Sequence, residues 1–433
     1  MKCNLNYQTP NFIPVFLHNG SNYDLHLIIK ELALQVKSLD VIPLNKEKYI
    51  SLSAKIYVNH NTLNDEVNDG NMDEDEEAGR NVKKYISLRF LDSYRFMASK
   101  LDTLAKNLEI HQFIETRKAF PDELFNLARM KGIFPYEFAN SYEKLEATRE
   151  LPSREQFYSS LTETTVEEEE YEHAKRVWNA FNCQNLAEYS DLYLKTDVLL
   201  LTDIFEAFRK LCMNLYDLDP CHYFTLPGLS WQAMLKYTKV KLELLTDPDM
   251  LHFIRKSIRG GIVQCSHRYA KANNRYMPER DVNDCLNYLS YKSDEDTQFL
   301  IYLDANNLYG FALSQHLPHS EFKWLTTEEI EDFDVNIYCS DPNSEVGYIL
   351  EVDMVYPLEL HDLHDEFPFC PENIRPPVEG SHQIKLIPNL LDKNNYVIHY
   401  RNLYQALRHG LQIKKIHRIL SFQQSDWLKK YID

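Results

Sequence analysis

Apolar and polar positions follow two different periods along the chain. Residues 12 to 18, FIPVFLH, form a short apolar run that reads as a buried strand, and Asp24 to Val36 follows with apolar residues at helical spacing. Lys84 to Phe90 reads as another strand and leads into DSYRFMASKLDTLAKNL, where Leu101, Leu104 and Leu108 make a helical stripe. Helical spacing returns over Glu167 to Ala180 and over Leu186 to Tyr216. Asp217 to Pro227 carries two prolines and marks a boundary. Beyond it, the apolar run Phe299 to Leu303 reads as a strand ending at Asp304, and Gly347 to Tyr356 is strand-like. Tyr396 to Gly410 reads as a helix with Gly410 as its stop. No internal repeat is visible. Strands and helices interleaved in this order fit an α/β (α+β) chain.

The 433 residues have length enough for two or three domains with a substantial core. The eight cysteines form no CxxC pair and no metal-ligand spacing with histidine, so they read as free thiols in a reducing compartment, and no zinc site is expected. The first residues, MKCNLNYQTPNFIPVFL, lack the charged and apolar regions of a signal peptide, and the apolar run 299–303 is far too short to cross a bilayer. An intracellular protein without a membrane partner is expected. The net charge of −18 works against phosphate binding, but part of the excess is local. Residues 61–80 hold eight acids against one base and read as a solvated loop, and a second acidic run spans Glu167 to Glu170. The segment IKKIHRILSFQQSDWLKKYI is basic with interleaved aromatics, which suits either a nucleic-acid face or an amphipathic helix.

The chemistry concentrates in Ile301 to Gly310, IYLDANNLYG. One carboxylate, Asp304, ends an apolar run and a bulky aromatic, Tyr309, follows five positions later. Nucleotidyl transfer needs an anionic metal ligand at a strand end and a turn that approaches the incoming nucleotide. An Asp followed by an Asn-Asn turn also arises for structural reasons alone. The segment resembles the first palm motif, DxxSLYP, of family B DNA polymerases of the protein-primed branch. The wording DANNLYGFALSQHLP, with IRGGIVQCSHRYAKANN upstream, is most similar to the Maverick or Polinton transposon enzymes. Asn307 stands where the family has Ser, and Gly310 where it has Pro.

That resemblance implies an RNase H-like 3′–5′ exonuclease domain over residues 1–219, the first part of a polymerase palm over 220–330, and a palm continuation with a terminal-protein-type insertion over 331–433. In the first domain Asn19, Tyr23 and Asp24 match the second exonuclease motif, in which the Asp binds metal and the Asn meets the single-stranded 3′ end. Asp24 could equally cap the helix it precedes. Tyr193 and Asp197 have the YxxxD spacing of the third exonuclease motif, and one helical turn puts both on one face. There Asp197 would bind metal while the Tyr193 hydroxyl orients water, although YxxxD is a frequent chance pair. In the single-strand-binding segment, the position of the usual Ser or Thr falls at Lys100. No acid precedes Asp24 to supply the family's DxE motif, so no competent exonuclease is expected.

In the second part, Arg259, Gly260 and Gly261 resemble the family's YxGG motif, with Ile258 in place of Tyr. The pair would let the backbone approach template phosphates, or simply make a bend. Arg268 and Lys271 are further candidates for phosphate contact or for surface charge. The resemblance makes Asp304 a ligand of the catalytic Mg²⁺ (or Mn²⁺), assisted by the Ala305 carbonyl. It makes Tyr309 the side chain that lies under the sugar and selects deoxynucleotides. Asp353, in YILEVDMVYP, is a rival that reads as a strand residue. The family's KxxxNSxYG helix and YxDTD hairpin are not found: Lys385 and Asn389 match KxxxN, but Pro388 would break a helix there. The expectation is a DNA-directed DNA polymerase by family, working on primer-template DNA and deoxynucleoside triphosphates with a terminal protein as a further partner. The chain itself is read as a fragment at both ends, inactive alone, and nuclear by inference from replication. The alternatives are a non-catalytic nucleic-acid-binding or interaction protein derived from such an enzyme and, last, a metal nuclease acting through Asp24 and Asp197.

Overall fold

A computed structural model describes residues 12–57, 85–277, 291–377, 380 and 382–433, and the acidic stretch 61–80 lies outside them. The chain divides into two compact units, residues 1–233 and 234–433, both of mixed α/β structure.

In the first unit, β1 (Phe12–Leu17), α1 (Asp24–Gln35), β2 (Ser38–Pro43), β3 (Tyr49–Tyr57) and β4 (Tyr85–Asp92) give a four-stranded sheet in the order β1-β4-β3-β2. β1 and β4 are parallel, with Leu17 opposite Asp92, and the remaining pairs are antiparallel. A parallel pair needs a long connection, which α1 and the β2–β3 hairpin provide. Helices α2 (Leu101–Lys106), α3 (Ile114–Ala119), α4 (Asp122–Ala128), α5 (Tyr142–Ala147) and α6 (Glu168–Ala180) precede α7 (Leu186–Tyr216), the 31-residue spine of this unit.

Local chemistry sets both ends of α7. The Asn185 side chain accepts from the Glu188 N–H at 2.9 Å, and Asp217 ends the helix in the left-handed conformation. Its buried positions, among them Leu186, Tyr189, Thr196, Leu200 and Ile204, recur at helical spacing and anchor separate apolar clusters along its length. The buried Asp203 accepts from the N–H groups of Glu115 (2.7 Å) and Thr116 (3.0 Å) and so fastens the start of α3 to the spine. The acidic run at 167–170 has a structural role: Glu167 and Glu170 form a reciprocal capping box, and the acids sit at the positive end of α6. Helix α8 (Leu226–Thr238) crosses the division between the units.

After α8 the second unit continues with α9 (Pro248–Ser257) and α10 (Leu308–Leu313), then β5 (Leu317–Trp324), α11 (Thr327–Glu331), α12 (Val335–Tyr338), β6 (Val346–Val355) and α13 (His361–His364). A small hairpin, β7 (Glu372–Ile374) and β8 (Lys385–Ile387), precedes β9 (Lys393–His399), α14 (Tyr400–Arg408), β10 (Gln412–Ser425) and α15 (Lys429–Ile432). The antiparallel sheet runs β5-β10-β6-β9. Alternation in β6 divides its faces. Leu350, Val352 and Met354 join Tyr396, Ile398, Tyr400 and Leu403 in one core, while Ile349 packs with Val397, Leu420, Phe422 and the fully buried Phe253 of α9 in another. Arg418 clips α9 to this sheet: its Nε donates to Glu351 at 2.8 Å, its Nη1 to Asp249 at 2.9 Å, and its guanidinium lies over Phe253 and Trp324.

Three sequence expectations are corrected here. Tyr396 to His399 belongs to β9 and the helix starts only at Tyr400, because Tyr396–His399 pairs with Ile349–Val352 and His399 caps the helix at Arg401. The basic segment after Gly410 is not one amphipathic helix: it is mostly the inner strand β10, with only the short α15 at its end, and two irregularities in the pairing with β6, at 413/415 and 416/418, accommodate its uneven apolar spacing. The apolar run 299–303 is not a strand; it has no pairing partner among the described residues and is exposed throughout. Lys385–Ile387 is strand β8, in line with the exclusion of a helix at Pro388. Among the described residues no helix is long and apolar enough to cross a membrane.

Candidate active-site elements

In the first unit, the turn after β1 is built on Asp92, a residue that the sequence reading passed over. Its buried carboxylate accepts from the N–H groups of Asn19 (2.8 Å), Ser21 (3.1 Å) and Tyr94 (3.0 Å), which satisfies three donors at the joint of β1 and β4. Asn19 sits at φ +64, a conformation that Asn accepts more readily than most residues, and its Oδ1 accepts from Asn22. Beside it, the His18 ring bridges Ser93 Oγ and the Ser99 carbonyl at 2.9 and 3.0 Å. Asp24 is the first residue of α1, exposed to solvent. It does not act as the helix cap: the N-cap position is Tyr23, and no side-chain cap bond is made there.

On α7, Tyr193 and Asp197 lie one turn apart and share a partner that also escaped the sequence reading. Lys131 Nζ donates to Asp197 Oδ2 at 2.6 Å and to the Tyr193 hydroxyl at 2.9 Å, and that hydroxyl lies 2.7 Å from the hydroxyl of Tyr136. The other carboxylate oxygen, Asp197 Oδ1, is buried and makes no hydrogen bond. Burial, followed by the charge of Asp197, pushes the Tyr193 phenol well above the ordinary tyrosine range, and burial does the same to Tyr136. Both therefore keep their protons at neutral pH and act as hydrogen-bonding groups. Gly132 lets the chain pass closely, since a Cβ there would stand 3.3 Å from Tyr193 Cδ2. The only sequence signal for Lys131 is a lysine inside the apolar stretch MKGIFPYEF.

In the second unit, Asp304 and Ala305 are exposed and Tyr309 is 88% exposed. Asn307 is left-handed at φ +54, and its Oδ1 accepts from the Gly310 N–H at 3.1 Å as the cap of α10. Arg259 is held internally: its Nη1 donates to the Val397 carbonyl at 2.6 Å, and its guanidinium lies 3.9 Å from the centre of the Tyr396 ring. Gly261 has φ +86, a value that favours glycine, whereas Gly260 has no such φ and only open space around its Cβ position. Arg268 is exposed, and Lys271 reaches Glu295 at 3.9 Å. Asp353 is a strand residue, as read: it accepts from the Asn395 N–H at 2.7 Å and pairs with His417 at 2.9 Å, and these contacts lower its pKa, the Asn395 bond most.

Among the described residues no group of three or more His, Cys, Asp or Glu side chains assembles as a metal site. Asp197 Oδ1 is an unpaired oxygen of the right chemistry to ligate a metal, but its carboxylate already holds the Lys131 ammonium. Asp304 stands as a single carboxylate in an exposed segment. Neither arrangement satisfies a divalent ion, which takes about six oxygen ligands, several of them anionic.

Residues 7–282 match the family described as DNA polymerase type B, organellar and viral. A probable DNA polymerase of Podospora anserina is 23% identical over 337 residues, covering 72% of this chain and 24% of that protein. Solved structures similar to this chain include Phi29 DNA polymerase complexed with primer-template DNA and incoming nucleotide substrates (13% identity, 97% of this chain, 54% of that chain, TM-score 0.45). Another is the same polymerase in an orthorhombic crystal form (12% identity, 97% and 54%, TM-score 0.41). The chain spans about a quarter of the curated relative and about half of each solved chain.

Proposed function

The chain belongs to the DNA polymerase type B family, organellar and viral, and from that premise we propose that it serves template-directed deoxynucleotidyl transfer on primer-template DNA. The observation that carries this reading is the family match across residues 7–282. Asp304 and Tyr309 lie beyond the matched residues, and their roles rest on the DxxSLYP-like motif itself. Asp304 is this chain's contribution to the metal-binding carboxylates, with the Ala305 carbonyl beside it, and Tyr309 meets the sugar. Gly260 and Gly261 give the backbone close access to template phosphates, with Arg268 and Lys271 as charge partners. Arg259 supports that segment from within, through Val397 and Tyr396.

Type B polymerases depend on divalent metal ions, Mg²⁺ or Mn²⁺ being the proposal here. The carboxylates among the described residues do not by themselves complete such a site. For the same reason the first unit is proposed as an exonuclease-like domain without hydrolytic competence, with Asn19 and Asp24 on one segment and Tyr193 and Asp197 on another. A terminal protein as primer, an origin in a Maverick-like element and a nuclear location are further parts of the proposal, supported by the sequence resemblance.

The test measures primer-template binding and nucleotide incorporation together, in Mg²⁺ and in Mn²⁺. Incorporation that Asp304→Asn abolishes would establish catalysis and overturn the expectation of inactivity. Binding that weakens steeply with salt, without incorporation, is the outcome for a chain that holds DNA but lacks a complete metal site. A chain that neither binds primer-template nor incorporates nucleotide refutes the proposal.

A further inference from the structure

Asn307 and Gly310 are the two positions at which the sequence leaves the DxxSLYP pattern, and the structure brings them into contact. Asn307 occupies a left-handed backbone geometry, φ +54 and ψ +44, which strains most side chains and suits Asn. From there its Oδ1 accepts from the Gly310 N–H at 3.1 Å, and its carbonyl accepts from the Phe311 N–H at 3.0 Å. Tyr309 lies inside this loop of bonds, on the first turn of α10. Its side chain is 88% exposed, so little but the backbone holds it in place.

Gly310 is buried against the cap. A Cβ at 310 would stand 2.3 Å from Asn307 Nδ2 and 2.6 Å from Oδ1, so any larger residue displaces the amide. Proline, the residue that the motif otherwise has there, would also remove the N–H that the cap accepts.

We propose that Asn307 and Gly310 form one positioning device for Tyr309, a linked exchange in which the capping amide requires the glycine and the glycine has its reason in the amide. The inference rests on the reading of Tyr309 as the residue that meets the nucleotide sugar. Asn307 acts through Tyr309 and touches no substrate. The two departures from the motif are thus a single change, and a glycine at 310 without an Asn at 307 would leave the first turn uncapped.

The test is a double-mutant cycle on the full chain, read by chymotryptic cleavage after Tyr309. Cleavage after Tyr302, which is 95% exposed and outside any helix or strand, is the internal reference. An N-cap bond is worth about a fivefold shift in local opening. The effect of Gly310→Ala in the wild type should therefore differ about fivefold from its effect in Asn307→Ala, where there is no cap to displace. Asn307→Asp, which keeps the Oδ acceptor, should cleave like the wild type. An equal effect of Gly310→Ala in both backgrounds overturns the device.

The second readout is the binding of fluorescent dATP and ATP analogues. Asn307→Ala should lower the preference for the deoxy sugar and Asn307→Asp should restore it, which a purely structural cap would not do. An unchanged preference alongside coupled proteolysis overturns the positioning role. Coupled proteolysis in a chain that binds neither nucleotide overturns the reading of Tyr309 and leaves the Asn307–Gly310 pair standing.

Discussion

Replacing Lys131 by Met should expose an electrostatic dependence of the first unit on a single ammonium. The substitution keeps most of the unbranched apolar stem and removes an ammonium that holds Asp197 Oδ2 at 2.6 Å and the Tyr193 hydroxyl at 2.9 Å. Side-chain exposures of 26% for Lys131 and 22% for Asp197 place the pair between the surface and buried extremes. Exposed pairs contribute about 0–1 kcal/mol, and breaking a fully buried pair costs about 3–5 kcal/mol. A loss of about 2 kcal/mol is expected, since Asp197 would be left with both oxygens unpaired and Oδ1 already buried. Asp197→Asn in the same background should recover about half, because a neutral amide tolerates the site better than a lone carboxylate. The assay is urea unfolding followed by ¹⁹F NMR of a chain labelled with 5-fluorotryptophan. Trp178 packs 5.6 Å from Tyr189 in the cluster between α6 and α7, so its resonance follows this unit. If the two single losses and the double loss add within about 0.5 kcal/mol, the pair carries no coupling and the reasoning fails.

Three further outcomes are expected. Burial lowers the His399 pKa from 6.5 to about 4, with Arg401 adding to the effect. The unfolded chain therefore takes up a proton that the folded chain resists, and stability present above about pH 6.5 should fall by up to about 3 kcal/mol as the pH drops toward 4. His399→Gln should flatten that slope in urea titrations. Gly410→Ala should cost about 1–2 kcal/mol, because φ is +98 and the new Cβ would meet Leu360 Cδ1 at 2.8 Å; the urea midpoint of the second unit reads this directly. Phe253→Ala should remove about 3–5 kcal/mol from the same unit, since this fully buried ring joins α9 to the sheet and supports Arg418; loss of the calorimetric transition near its wild-type temperature would register it.

Much of the local structure was legible because the chain states it twice, in period and in caps. Leu186 to Tyr216 has helical spacing, an Asn before it and an abrupt end after it, and α7 has those limits. Glu168–Ala180 and β6 were legible on similar grounds. The boundary within Tyr396–Gly410 was not, because Tyr396, Ile398 and Tyr400 fit a strand while Tyr400, Leu403 and Leu407 fit a helix, and only pairing with β6 decides between them. The strand expected before Asp304 was not, because a strand needs a partner that local sequence cannot report. Lys131 was invisible for a related reason: its partners lie 62 and 66 positions away, and no short motif signals such a contact. Asn307 and Gly310 were legible as departures, whereas their dependence on each other required the backbone geometry.

The central place of β10 also governs when the second sheet can form. Among the described residues β5 pairs only with β10, and β6 has β10 as one of its two neighbours, so strand Leu317–Trp324 must wait until the ribosome has made residues up to Ser425. At about 5–20 residues per second, translation of that interval takes roughly 5–20 s. Until then β5 lacks its partner, the β6 edge that β10 will take is open, and Ile349 lacks the cover of Leu420 and Phe422. Nascent chains at this stage are natural clients for a holdase, and synonymous codons that slow elongation between β6 and β10 should lower the yield of soluble protein without altering a single residue.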